Sequence, residues 1–504
     1  MKNKFPFFLL LLFPLMLTSQ STHKLEVEVS IDPSLKEQFQ PAGRLLLFLS
    51  KDGRGELRFR TWPRVGNFIF AKNISNWPLK QPMTINKNAA FMQTSAIDLD
   101  AMSQDTFYLQ VVWDQDREES RPEAPGNLYS EVQKVIINKD QKVSLKIDKV
   151  IAPRRMPNHP HIKEVTFKSD TLSKWWGKDM YLKVGVLLPG SYFEKGDAKF
   201  AFRYNIAGYG GRYTRASRLV NNKEFMGWWL SPEAPQIVTI YLDGEGPFGD
   251  SYQLDSENNG PYGYALTEEL IPHLEKEFRG TGRADSRFLD GCSTGGWVSL
   301  ALQIYYPDLF NGTWSYSPDA IDFENYQLVN VYKDANLFYN EWNNLRPLAR
   351  DLTGDPSITV KDFIQYENVL GYSDTYATSG GQFSAHNALY SPKGPDGLPA
   401  PLFDPQTGVI DPAIAEYWKK YDLKLQVKEN WSELGPKLQG KIWIWMGDMD
   451  NFYLNPATRA FDEFLKTTTN PVSDAHIEFT PMAGHCAQYD QKAVLKMMGD
   501  RLAN

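Results

Sequence analysis

The sequence predicts an α/β protein in two parts: a mostly parallel sheet with helices on both faces, preceded by a small β-sandwich-like domain. Three observations carry this prediction. Before about residue 150, apolar residues alternate at period two. After about 163, short apolar strands alternate with segments of helical periodicity. Between them, residues 151–162 carry Pro153, Pro157 and Pro160 and read as a linker.

The first residues read as a secretory signal peptide, 1–21. Lys2 and Lys4 precede an apolar run over 5–17, and small and polar residues follow. The run is about 13 residues, short of the roughly 20 that a bilayer span needs. The mature chain is therefore expected to have no membrane span and to be secreted or periplasmic. The 504 residues carry a net charge of -7, which argues against a nucleic-acid partner, since such binders normally present a basic patch.

Residues 22–150 form the β-rich domain. Period-two runs at 25–30, 44–49 and 106–112 are separated by turn signals at 51–55 and 123–126, and an antiparallel sandwich is expected. The second domain spans 163–504. Strands are expected at 181–188, 200–206, 236–242, 286–289, 310–315, 441–445 and 476–479. Helices are expected at 262–278, 296–305, about 456–465 and from 488. A long stretch from about 320 to 438, rich in Pro, Gly, Asn and aromatics, reads as an insertion. Loops on a fixed scaffold set specificity, so it is expected to build the substrate pocket, with Trp314, Trp342 and Tyr390 as candidate wall residues.

The chemistry starts at Gly291-Cys292-Ser293-Thr294-Gly295. A Gly-x-Ser-x-Gly between strand and helix places the serine on a tight turn; small residues two before and two after let the backbone fold that sharply. The turn presents the Ser293 hydroxyl and aims the next N–H, that of Thr294, at a developing oxyanion. This is the nucleophile elbow of the α/β-hydrolase fold. A serine nucleophile needs a base, and the base an orienting acid, in the chain order Ser, Asp or Glu, His. Three histidines follow Ser293. His476 opens an expected strand, and His386 precedes any acid-bearing strand end. His485 lies in the turn between the 476–479 strand and the last helix, where the fold places its base. The acid belongs after the 441–445 strand. Asp450, three residues past Gly447, is favoured, with Asp448 as the alternative.

The only two cysteines, Cys292 and Cys486, flank Ser293 and His485. If the serine and histidine are neighbours, so are the cysteines, and in an oxidising compartment they are expected to form a disulfide. No metal or organic cofactor is expected. The pair His159 and His161 lacks acidic or thiol partners and reads as linker; residues 243–246 read as a turn.

The stretch from about 163 onward resembles the esterase D-like "putative esterase" family of α/β-hydrolases. The resemblance rests on Asn258-Asn-Gly-Pro-Tyr262 leading into Thr267-Glu-Glu-Leu-Ile-Pro272, on the elbow, and on Tyr306-Pro-Asp-Leu-Phe310. That family includes feruloyl, acetyl and enterochelin esterases and mycolyltransferases. The pairing of Cys292-Ser293, Asp450 and His485-Cys486 is similar to the disulfide-linked triad of the tannase and feruloyl esterase family. Where the esterase family has His-Gly before its second oxyanion donor, this chain has Ala207-Gly208, and Tyr209 becomes the candidate donor. The resemblance implies a serine esterase acting on a small-molecule or glycan-linked ester, with acyl, feruloyl or aryl groups as candidates. A serine peptidase or acyltransferase on the same fold is a second expectation, and a non-catalytic binding protein with a hydrolase-like shell a third. The sequence leaves the oligomeric state open.

Overall fold

The computed structural model describes residues 22–194 and 196–503. Residues 1–21, the expected signal peptide, lie outside the described residues.

Eight strands form the central sheet: β1 (Ile162–Ser169), β2 (Met180–Leu187), β3 (Ala201–Ile206), β4 (Ile237–Leu242), β5 (Arg287–Cys292), β6 (Thr313–Tyr316), β7 (Ile442–Gly447) and β8 (His476–Thr480). Their order across the sheet is β1-β2-β4-β3-β5-β6-β7-β8. β2 is antiparallel to both of its neighbours; from β4 through β8 every pair is parallel. Every residue of β3, β4 and β6 is buried, as expected for parallel strands covered on both faces. In such a sheet ligands bind beyond the carboxyl ends of the strands, near the point where strand order reverses. Here that is the end of β3 and β5.

Five helices matter for the site: α1 (Thr294–Tyr305), α2 (Val360–Leu370), α3 (Gln382–Tyr390), α4 (Asn455–Leu465) and α5 (Gln491–Ala503). α1 is buried along almost its whole length, so it is apolar all round rather than on one stripe. α2 and α3 belong to the 320–438 insertion, in which no helix was expected. α3 is buried on every side after its first residue, so its pattern is not amphipathic. The expected helix at 262–278 is present, with its hydrogen bonds widened over Ala265–Leu270 just before Pro272, which has no N–H to donate.

The N-terminal region holds a nine-stranded sheet packed on its own core, and a two-stranded pair of Thr22–His23 with Met102–Ser103. The alternation read in the sequence is seen in Leu25, Val27 and Val29, and in Val143, Leu145 and Ile147, all turned inward. Most pairs are antiparallel, as expected. Gln141–Val150, however, runs parallel to Leu25–Ile31. These two strands come from opposite ends of the domain, so no hairpin turn imposes an antiparallel pairing.

Strand Gly43–Ser50 is buried at every position because both of its faces are covered. Leu45, Leu47 and Leu49 face the inner core. Leu46 and Phe48 pack, with Val112, against Tyr366, Val369 and Leu370 of α2. Arg44 crosses the same boundary. It is fully buried, its Nε and Nη2 donate to the Val369 carbonyl at 3.0 and 2.9 Å, and its Nη1 reaches Asp374 at 2.8 Å. A second, charged seam joins the parts elsewhere. Arg212 pairs with Glu119 at 2.7 Å and with Asp243 at 2.8 Å, and Arg154 pairs with Glu119 at 2.8 Å. Glu245 lies at this seam, and one of its carboxyl oxygens is buried with no partner among the described residues. Burial outweighs Arg121 and Arg212 and pushes its carboxyl up to about 8.

Two measurements follow. Replacing Arg44 by Ala leaves the Val369 carbonyl buried without its donors, and is expected to cost about 2–3 kcal/mol in urea unfolding. Glu245 keeps its proton to about pH 8 when folded but only to about 4.5 when exposed. Folding therefore takes up a proton between those values, and the stability it contributes is lost as pH rises through that window. The Glu245→Gln variant is expected to gain on the wild type as pH rises from 5 to 8; a constant difference across that range would refute the linkage.

Candidate active site

β5 enters the site between β3 and β6 and ends at Cys292. Ser293 then takes φ 62° and ψ −128°, a backbone region that residues with a Cβ rarely adopt, and α1 begins at the next residue. The flanking glycines explain how the chain turns so sharply. A Cβ on Gly291 would lie 2.4 Å from the backbone of Gly295, and one on Gly295 would lie 2.3 Å from the carbonyl of Ile206. Gly208 passes directly over the turn: its Cβ would lie 3.4 Å from that of Ser293. The N–H groups of Thr294 and Tyr209 meet no acceptor among the described residues. The strand below the turn is anchored by Asp290, which is fully buried and accepts from Arg203 Nε at 2.7 Å and from the Tyr489 hydroxyl at 2.7 Å.

The two acid candidates separate cleanly. Asp450, in the loop after β7, is fully buried. One of its carboxylate oxygens lies 2.7 Å from His485 Nδ1, and the other accepts the N–H of Phe452 at 2.9 Å and of Leu454 at 3.3 Å. Asp448 turns outward to an ion pair with Arg459 on α4 and is partly exposed. His485 lies in the turn after β8. Its N–H donates to Asn451 Oδ1 at 2.9 Å, and its ring meets Phe452 edge-on at 4.9 Å. The β7 and β8 loops touch so closely that a Cβ on Gly447 would lie 2.3 Å from the Ala483 carbonyl.

Cys292 and Cys486 form a disulfide, with Cα atoms 6.0 Å apart. The Cys486 N–H donates to Ser317 Oγ at 3.1 Å, just past β6. With the Tyr489–Asp290 bond, the segment bearing His485 is tied to β5 at two points, Cys292 and Asp290.

Ser293 opens into a cleft of about 550 Å³, counting its open mouth. Its walls are aromatic and aliphatic: Trp62, Tyr209, Leu348, Phe363, Phe383, Phe452 and Leu454. One end is polar. Asp319, just after β6, accepts from the Tyr252 hydroxyl at 2.9 Å, Thr294 Oγ1 at 3.0 Å and Gln382 Nε2 at 3.1 Å, with His386 Nε2 at 3.4 Å. The second ring nitrogen of His386 faces the Tyr326 hydroxyl at 2.6 Å. Burial pushes the Asp319 carboxyl up, but the His386, Tyr252 and Thr294 contacts outweigh it, and the group is held below the usual carboxylate value.

This polar end was not read from the sequence, where His386 was set aside. The available signal is the pair Gln382 and His386, four apart and so on one face of the helix. The wall residues expected from the insertion fall elsewhere. Trp314 stacks on Trp443 at 4.7 Å in the core, Trp342 is 72% exposed, and Tyr390 packs behind His386. Trp62, from the N-terminal domain, lines the cleft instead. Residues 243–246 make a turn into a short hairpin, and His161 caps the Leu188 carbonyl at 3.2 Å.

No curated protein matches the chain. Among solved structures, a ferulic acid esterase aligns at 14% identity and a TM-score of 0.43, covering 68% of this chain and 96% of that one. A fluorophosphonate-binding serine hydrolase of Staphylococcus aureus aligns at 14% identity and 0.40, covering 68% and 98%. A ferulic acid esterase of Anaeromyces mucronatus aligns at 13% and 0.34, covering 70% and 92%. The sequence model of the family described as "Putative esterase" matches residues 179–496, which hold β2 through β8, the elbow and both loops beyond β7 and β8. The chain belongs to that family, and is a carboxylic ester hydrolase of the α/β-hydrolase fold.

Proposed function

We propose that the chain hydrolyses carboxylic esters through a Ser293–His485–Asp450 triad and a covalent acyl-enzyme, outside the cytoplasm, on acyl or aryl esters of carbohydrates. The observation that carries this reading is the 2.7 Å contact between buried Asp450 and His485, on a loop that a disulfide ties to the residue before Ser293.

The steps follow from the atoms. Asp450 accepts from the Nδ1–H of His485, which leaves Nε2 as the basic nitrogen and fixes the ring. Nε2 takes the proton of Ser293 as its Oγ attacks the ester carbonyl. The oxyanion forms beside two unpaired N–H groups, those of Thr294 and Tyr209, which lie on either side of the Gly208–Ser293 approach. The imidazolium then protonates the departing alcohol oxygen. Water, deprotonated by the same nitrogen, attacks the acyl carbonyl and releases the acid and free Ser293. Asp450 makes no bond to substrate; buried and bonded to two N–H groups, it holds the imidazole in place and stabilises the imidazolium.

The aromatic walls of the cleft suit a flat or bulky acyl group, and the mainly apolar lining with a few convergent polar groups is the usual make-up of a small-molecule site. The family's ferulic acid esterases make aryl esters the natural first panel, and the disulfide accords with an oxidising compartment.

Hydrolysis of p-nitrophenyl esters from acetate to decanoate, plus methyl ferulate, tests the reading. Ser293→Ala is expected to lower kcat/KM by about 10⁴-fold or more. Ser293→Ala turning over as fast as the wild type would sink the assignment, and activity on amides alone would turn it toward a peptidase. The two acids are separable in the same assay. Asp450→Asn is expected to lower kcat by about 10⁴-fold through the wrong imidazole tautomer, whereas Asp448→Asn removes an ion pair at the surface and is expected to change it little.

A further inference from the structure

The N-terminal domain shares no chemistry with the elbow, yet it places one side chain in the same cleft as Ser293. Residues 51–66 form the loop between strands Gly43–Ser50 and Asn67–Ile74. Its base is closed by the Lys51 N–H to the Gly66 carbonyl at 3.0 Å. Arg60 ties its middle down, with Nη1 on Ser50 Oγ at 2.6 Å and Nη2 on the Arg54 carbonyl at 2.6 Å. Leu57 is fully buried against Tyr366, Val369 and Leu370 of α2, and the Tyr366 hydroxyl donates to the Asn67 carbonyl at 2.8 Å. The loop is thus fixed from within its own domain and from the insertion. Trp62 in this loop reaches across the boundary. Its ring lies 5.0 Å from Phe363, 5.8 Å from Tyr209 and 5.9 Å from Phe452. Phe452 in turn packs on His485, and Tyr209 adjoins the glycine that covers Ser293.

We propose that Trp62 is a specificity-determining residue, through which the N-terminal domain favours esters that seat a large, flat, apolar group beside Ser293. Its indole is rigid, loses little freedom on contact and completes an aromatic wall otherwise drawn from the catalytic domain. Without it the cleft is open toward the N-terminal domain, and a small group loses little while a flat group loses its stacking face. The proposal rests on the serine reading only for where attack occurs.

The test measures kcat/KM for wild type, Trp62→Ala and Trp62→Phe on two pairs of esters. One pair varies the acyl half (p-nitrophenyl acetate and cinnamate), the other the alcohol half (ethyl acetate and 1-naphthyl acetate). The expected result is that Trp62→Ala lowers the bulky-to-small ratio by about tenfold or more in one pair, mainly through KM, and that Trp62→Phe restores most of it. The pair affected identifies the half that occupies the cleft. Equal losses on bulky and small esters would mark Trp62 as merely structural, and an unchanged ratio in both pairs would also overturn the proposal. Thermal midpoints of each variant show whether the Ala protein is folded; if it is not, the Phe ratio, expected between those of wild type and no discrimination, decides. Ser293→Ala is run in parallel: turnover surviving there defeats the serine reading and leaves the Trp62 ratio standing on its own.

Discussion

Ser293 is held at a positive φ by crowding on every side, and the rest of the site follows from that one strained turn. Such a backbone costs about 1–3 kcal/mol and persists only where its surroundings leave no alternative. Here β5 lies between two parallel partners, the backbones at 291 and 295 touch, and the carbonyl of Ile206 fills the space where a side chain at 295 would go. The turn sets three things together. It raises the hydroxyl into the cleft, it opens α1 with its first N–H unpaired, and it brings Gly208 close enough for the 207–209 segment to overhang the serine. Removing any one of the three glycines would disturb all of these at once.

The proposed acid and base, Asp450 and His485, come from the loops after β7 and β8, more than 150 residues further along the chain. Their loops are packed against each other at Gly447 and Ala483, next to the hydrogen bond between Asp450 and His485. What holds the pair against the serine strand is partly covalent. The disulfide closes a separation of 194 residues, which in chain-entropy terms is worth roughly 5 kcal/mol against the unfolded state. The Tyr489–Asp290 bond repeats the tie one turn of chain later. With its segment anchored twice to the strand that carries Ser293, His485, the proposed base, has little freedom to lose on binding, and the proposed site is in that sense preorganised.

The parts that the sequence separates as a domain and an insertion are packed against each other. α2 of the insertion is the common element: one side of it packs on the N-terminal sheet and takes the Arg44 guanidinium at its end, while Phe363 faces the cleft. Glu367 of the same helix accepts the N–H groups of Phe383 and Ser384 and so caps α3, which carries Gln382 and His386 to the polar end of the cleft. Burial pushes the Glu367 carboxyl up to about 7. The cleft is therefore coupled to the N-terminal domain through α2 as well as directly through Trp62, and its shape depends on that packing as much as on the hydrolase core.

The elements legible in the sequence are those whose pattern is local. The period-two strands, the apolar runs of the parallel sheet, the Gly-x-Ser-x-Gly turn and the positions of Asp450 and His485 after their strands could all be read from neighbouring residues. The adjacency of Cys292 and Cys486 to those residues gave the disulfide by the same logic. The structure adds what depends on distant partners. The choice of Asp450 over Asp448 is a matter of which carboxylate turns inward, and that is decided by the Arg459 side chain on one side and the N–H groups of Phe452 and Leu454 on the other. The polar end of the cleft draws Tyr252, Thr294, Asp319, Tyr326 and His386 from separate segments, none informative alone. The sequence by itself determined the sheet, the elbow and the candidate triad, because strand periodicity and turn sterics are short-range. Only the tertiary structure decided which side chains wall the cleft, because burial of Trp314 and exposure of Trp342 depend on how the domain, the insertion and the sheet pack, and that is not written in any one segment.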